Sequence, residues 1–266
     1  MLFADYGLAR RLERAEAIGA AACADAEAAM RPWSGAATLA VAGGYAAFHG
    51  VGSPLTQAVG LGMEGAVAPE DLDAVEEFFR ARGSGVVLHV CPMADATLLD
   101  LVGRRGYQIS EFNTVLARPM AHGELIPGCA AGMLVRRARA EEADAWARLM
   151  LHGFLGREAM SEAEYRVGSA IFHSSMAWIA ECRGEAQGAG ALSVHEGLAC
   201  LYADSTLPAA RNRGAHRATI RARLRRAQER GCDLATASTQ PGSISQRNYE
   251  MCGFQTVYTK AIAVLG

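Results

Sequence analysis

Asp204-Ser205-Thr206-Leu207-Pro208-Ala209-Ala210-Arg211-Asn212-Arg213-Gly214-Ala215-His216 is the stretch on which the reading of this chain turns. It continues a strand-like apolar run, Leu198 to Leu207, and leads into Gly214 to Arg230, where Ile220, Leu224 and Ala227 fall on one face of a long helix. Pro208 cannot donate to a ladder and ends the strand. The first amides of the helix have no partner inside it, and the positive end of the helix dipole stands behind them. A glycine at that point lets an anion approach the backbone, so the junction has the pattern of a diphosphate site. Arg211, Arg213 and Arg217 lie within reach of a phosphate, whereas Arg221, Arg223, Arg225, Arg226 and Arg230 read as a solvated face.

Upstream of this junction the spacing predicts a strand at Leu134–Arg137 and helices at Ala140–Gly153 and Ser161–His173. Ser161 with Glu164 three residues on makes a capping box for the second of these helices. Strands at Ala177–Arg183 and Gln187–Val194 follow, joined by tight turns. Downstream come a buried strand at Cys232–Thr239, a short helix at Ser243–Cys252 closed by Gly253, and a last strand at Phe254–Val264.

The first half has the same order. A helix over Tyr6–Met30 is followed by small-apolar strands at Thr38–Phe48 and Leu55–Met63, and by a helix from Pro69 to about Arg82 that starts on Pro with two acids behind it. A strand at Val86–Cys91, a helix at Ala94–Arg105, Gly106 and a strand at Tyr107–Arg118 complete it. Strand, helix, glycine and aromatic thus recur at Gly106-Tyr107 and at Gly253-Phe254, the mark of an internal duplication. The expected division is 1–120, a Pro/Gly-containing linker at 121–132, and 133–266.

Composition narrows the class. Just over half of the 266 residues are hydrophobic, enough for a packed core. The net charge of −2 gives no global reason to expect nucleic acid or an anionic membrane as a partner. The charge is uneven, with acids in excess before Gly132 and arginines after Met133, and the basic half is the better place for an anionic ligand. Seven cysteines without a C-x-x-C pair give no metal motif, so no metal is expected. No apolar run reaches the roughly 20 residues of a membrane span, and charges at Asp5, Arg10 and Arg11 leave no signal-peptide core. A cytoplasmic protein, monomeric or homodimeric, is expected.

The second half resembles the GNAT superfamily of acyl-CoA-dependent N-acetyltransferases. Arg211 and Gly214 match the pyrophosphate loop of that family, and His216 stands where the family has Gly or Ala. Asn248-Tyr249-Glu250-Met251-Cys252-Gly253-Phe254 is similar to the family's Leu-Tyr-Glu-Lys-Leu-Gly-Phe end. An Asn found in many members seven residues before the Tyr is Gly242 here, which leaves Ser243 or Ser245 to take its hydrogen bonding.

The resemblance implies an α/β (α+β) fold of two tandem GNAT-like units, each a mixed, mostly antiparallel twisted sheet flanked by helices. It implies acetyl-CoA as co-substrate, held by Ser205, Thr206, Leu207, Arg211, Asn212, Arg213, Gly214, Ala215, His216, Arg217, Ser243 and Ser245. A small-molecule or peptide amine would attack the thioester directly, with Tyr249 protonating the departing thiolate. A general base is open among Asp204, Glu181, His195 and Glu196; Asp204 is the choice on the strand that leads into the loop. His216 reads as an exposed first-turn residue, and Cys252 as a packing thiol. The first half has Glu70 and Asp71 where a diphosphate would sit, so it is expected not to bind CoA. The competing readings are a CoA-binding or protein-interaction module without turnover, and an acyltransferase using another acyl-CoA or a hydroxyl acceptor.

Overall fold

The computed structural model of the chain describes residues 2–129 and 132–266. Ala130 and Ala131, within the expected linker, lie outside the described residues. The chain forms two compact units. One comprises Phe3–Val115 and Thr256–Gly266, the other Leu116–Gln255 together with Leu2.

In the first unit, helix α1 (Tyr6–Met30) starts on Asp5, whose carboxylate accepts from the Leu8 amide at 2.8 Å. Its small residues Ala17, Ala20 and Ala24 pack against Ala47 and Val59 of the sheet. Strands β1 (Ala37–Val41), β2 (Gly44–Phe48), β3 (Gln57–Val59) and β4 (Val86–Val90) follow, with α2 (Pro69–Arg80) before β4 and α3 (Ala96–Arg104) after it. The run Thr38–Phe48 is two strands rather than one. Ala42 at φ 48° and Gly43 at φ 82° fold it into a hairpin, a turn that only left-handed residues make. The expected strand at Leu55–Met63 is reduced to the three residues of β3.

The strand order in this unit is β1-β2-β3-β4-β11, with the first part of β5 (Gln108–Pro119) beside β11 (Gln255–Leu265). β3 and β4 are parallel, and the other pairs from β1 to β11 are antiparallel. The last strand of the chain therefore goes with the first unit, not with the 133–266 segment: Ala261–Leu265 pairs with Val86–Val90. A buried ionic cluster fixes it there. Lys260, the only lysine in the sequence, is fully buried and donates to Glu13 at 3.0 and 3.2 Å and to Glu16 at 2.7 Å. Tyr258 donates to Glu13 at 2.8 Å. Two carboxylates satisfy the ammonium, and the Tyr258 hydroxyl adds a donor to one of them, the condition under which a charge is tolerated in a core.

In the second unit, the end of β5 is followed by β6 (Met133–Arg137), α4 (Ala143–Leu155, entered by a 3-10 turn at Ala140–Glu142), α5 (Glu162–Ser174) and β7 (Met176–Cys182). Then come β8 (Glu185–His195), β9 (Leu198–Thr206), α6 (Ala215–Glu229), β10 (Leu234–Thr239) and α7 (Ile244–Glu250). The strand order is β5-β10-β9-β8-β7-β6, antiparallel from β6 to β9 and parallel between β9 and β10. Ser161 and Glu164 make the expected capping box. Ile220, Leu224 and Ala227 of α6 bury with Leu192, Leu201 and Trp178 of the sheet, and Tyr249 and Phe254 complete this core. On α4, Trp146 is buried and donates its indole N–H to the Trp178 carbonyl at 2.9 Å.

The two units share a turn at the end of a short helix. Gly106 (φ 78°) and Gly253 (φ 88°) each end a short helix, and the next aromatic amide bonds five residues back, Tyr107 to Val102 and Phe254 to Tyr249, at 3.2 Å in both.

Candidate active site

The site is built where β9 and β10 part. These parallel strands pair only at Leu198–Cys200 with Leu234–Thr236, yet β9 runs on to Thr206 and β10 to Thr239. β9 also carries a bulge. Its register against β8 slips between Ala189 and Ala191, and Ala203 takes φ 54°. Gly190, opposite the bulge, leaves room for a buried guanidinium: a Cβ there would lie 2.8 Å from Cζ of Arg223.

After β9, a 3-10 turn at Pro208–Ala210 leads to Asn212 (φ 63°) and Gly214 (φ 89°), and α6 begins at Ala215. The first intrahelical bond runs from the Ala218 amide to the Gly214 carbonyl at 3.0 Å. Among the described residues, the amides from Asn212 to Arg217 have no protein acceptor, and Gly214 supplies no side-chain cap. This is the open, positive helix start expected of an anion site. The corresponding helix of the first unit is closed by its own acid, since Asp71 accepts from the Ala68 amide at 2.9 Å.

The other loop residues divide. Asn212 and Arg213 are exposed beside the free amides. Arg211 is turned back, donating to the Gly153 carbonyl at the end of α4 (3.1 Å) and to the Thr206 carbonyl (3.4 Å). The Leu207 amide is taken by the Gln187 carbonyl at 2.9 Å. Ser205 is buried against α4, where a Cβ on Gly153 would meet its Cβ and Oγ at 2.9 Å. Ser243 caps α7, accepting from the Gln246 amide at 3.1 Å, and Ser245 is half-buried on the same helix.

Behind the loop lies a buried polar cluster. Tyr249, on α7 and 1% exposed, donates its hydroxyl to Asp204 Oδ2. Arg223 of α6, fully buried, donates to Asp204 Oδ1, to the carbonyls of Ala191 (2.8 Å) and Tyr202 (3.2 Å) across the bulge, and to Thr219 (3.1 Å). His216 is not the exposed residue expected. Its side chain is 16% exposed, Nε2 lies 3.4 Å from Asp204 Oδ1, and Nδ1 lies 3.1 Å from Asn248 Nδ2. Its ring meets that of Tyr249 edge-on, with centroids 5.7 Å apart.

Burial alone would raise the Asp204 pKa, but the Arg223 charge, then His216 and the Tyr249 hydroxyl, outweigh it and hold the carboxyl at about 2. The Tyr249 pKa is raised well above its ordinary value, first by burial and then by the Asp204 charge. At neutral pH Asp204 is thus an anion that accepts from the Tyr249 hydroxyl.

The remaining base candidates lie apart from this cluster. Glu181 is bonded to Arg136 at 2.6 Å, and His195 and Glu196 close the β8–β9 turn at the other end of β9. Burial pushes the Cys252 thiol up, away from thiolate character. Among the described residues, no group of His, Cys, Asp or Glu could hold a metal ion, and no helix is long and apolar enough to cross a membrane.

Arg223 is not on the solvated face of α6: three residues from Ile220 and four from Ala227, it lies on the buried stripe. Asn248, beside Tyr249, joins the cluster without a sequence signal of its own.

No family model matches the sequence, and no curated protein matches it either. Solved structures do resemble it. A GCN5-related N-acetyltransferase from Kribbella flavida superposes with a TM-score of 0.64 at 17% identity, covering 91% of this chain and 95% of its own. A tandem GNAT protein from the clavulanic acid biosynthesis pathway gives 0.58 at 13% identity, covering 86% and 78%. A GNAT-family acetyltransferase from Novosphingobium aromaticivorans gives 0.51 at 16% identity, covering 76% and 82%. The chain has the GNAT fold, in tandem arrangement.

Proposed function

We propose that the second unit binds acetyl-CoA and transfers its acetyl group to an amine, so that the protein is an N-acetyltransferase. The observation that carries this reading is the row of amides at the start of α6, free of protein acceptors and set around the left-handed Gly214, beside the gap between β9 and β10. Amides of Arg213 to His216 would hold the diphosphate, with Arg213 and Arg217 adding positive charge. The parted strands would take the thioester, and the bulge at Ala203 re-aims the backbone there.

In the reaction the neutral amine attacks the thioester carbonyl. The C–N bond forms, the C–S bond breaks, the amine's extra proton leaves to solvent and the sulfur takes a proton from Tyr249. Tyr249 is the one hydroxyl that the GNAT-like Tyr-Glu-x-x-Gly-Phe end brings to this place, and Asp204 and Arg223 hold it. The first unit, its helix start filled by Asp71, serves as scaffold without CoA of its own. The acceptor is a small molecule or peptide with a free amine.

A second reading has one observation in its favour. The Tyr249 proton is given to a buried carboxylate, which suits a CoA-binding module without turnover. Calorimetric titration with acetyl-CoA, followed by thiol release over a panel of amines, separates the two. Binding with thiol release supports the transferase, binding without release from any amine supports the module, and no binding sinks both.

A further inference from the structure

Tyr249 has one hydroxyl proton, and Asp204 accepts it. A departing thiolate needs that proton, so something must loosen the carboxylate's hold. His216 is placed to do so. It belongs to the first turn of α6, among the amides free of protein acceptors, and its Nε2 faces Asp204 Oδ1 at 3.4 Å. The Asn248 amide beside Nδ1, at 3.1 Å, can donate to a neutral ring or, turned over, accept from a charged one, so it serves both protonation states.

The charges facing His216 are few. Asp204 lies on β9, Arg223 donates to the same Oδ1 that His216 faces, and the uncharged Tyr249, from α7, holds Oδ2. Arg213 in the loop and Arg217 in the first turn are the nearest cationic residues in sequence. With His216 neutral, Asp204 and Arg223 cancel, and Tyr249 has no electrostatic reason to lose a proton. With His216 charged, the cluster carries a net positive charge, which favours tyrosinate.

Resting on the reading of the second unit as a CoA site, we infer that His216 is the positioning residue that couples diphosphate binding to Tyr249. The diphosphate draws a proton onto the imidazole, and the imidazolium weakens the hold of Asp204 on the tyrosine hydroxyl. Binding then takes up protons, so affinity rises as pH falls.

The test is isothermal titration of the whole protein with CoA at pH 7, in two buffers of different ionisation heat, for wild type and His216→Gln. Because the CoA 3′-phosphate titrates in the same range, the quantity that counts is the difference between the two proteins. Wild type should take up more protons than the variant. The variant should still bind CoA and lose about tenfold in kcat with little change in the KM for acetyl-CoA. Equal proton uptake in the two proteins, or an unchanged kcat, overturns the coupling alone. A wild type that binds no CoA overturns the parent reading, and this one with it. If His216→Gln fails to fold, Asn248→Ala, which keeps the imidazole but removes its Nδ1 partner, takes its place and should lower the proton uptake.

Discussion

The Tyr249 hydroxyl donates to Asp204 across 45 positions of sequence, and the carboxylate that receives it is anchored on its other oxygen by the buried Arg223. One donor-acceptor pair thus joins the helix α7 to the strand that leads into the anion loop. Most of what can be tested about the site follows from this contact.

Tyr249→Phe should lower acetyl transfer by at least about tenfold, read as thiol release, while leaving the acetyl-CoA dissociation constant within a few-fold. It also removes one hydrogen bond to a charged group, so a stability loss of about 1.5–3 kcal/mol should appear in urea unfolding. Turnover equal to wild type would show that another group protonates the thiolate.

Asp204→Asn leaves the Arg223 charge buried without a counter-charge. The cost should be about 3–5 kcal/mol, measured by denaturant midpoint at constant slope. In the wild type the folded pKa of about 2 lies below that of an unfolded carboxyl, roughly 4. The pair's contribution, about 3 kcal/mol, is therefore present above pH 4 and lost as pH falls toward 2. The variant should lack this acid-dependent loss.

Gly214→Ala has open space around the added methyl but a φ of 89° that disfavours it. The backbone strain is about 1 kcal/mol, and the Cβ would stand beside the amides meant for the diphosphate. CoA affinity should fall roughly tenfold with only a small shift in melting temperature. Unchanged affinity would place the anion elsewhere.

Gly153→Ala forces a Cβ to within 2.9 Å of Ser205 and of the Thr206 amide. Overpacking of this kind costs about 1–3 kcal/mol. The end of α4 should move off β9 and release the bond from Arg211 to Gly153, so the KM for acetyl-CoA should rise together with the loss of stability.

The left-handed loop before α6 and the Tyr249 turn are legible in sequence because each is a short contiguous motif whose residue types fix its backbone. The matching glycine turns at 106 and 253 made the duplication visible for the same reason. What sequence did not reveal depends on contacts between distant segments. The helical spacing of Arg223 turns it toward the sheet, but the room for a guanidinium there comes from the bulge at Ala203 and the missing side chain at Gly190, on two other strands. His216 looked exposed because nothing local foretells that Asp204 and Asn248 converge on it. The place of β11 in the first unit follows from its pairing with β4 and from the bonds of Lys260 to Glu13 and Glu16.

That lysine also bears on the proposed use of a thioester donor. An enzyme that works beside a reactive thioester risks modifying its own ε-amines. Here the single such amine is sealed between two carboxylates with no exposed surface, and its pKa is held above the ordinary value, so it stays an unreactive ammonium. Arginine, used at every other cationic position, is not an amine nucleophile. Among lysine side chains the folded chain therefore offers no target for self-acetylation, and lysine-directed labels should leave Lys260 unmodified until the protein unfolds.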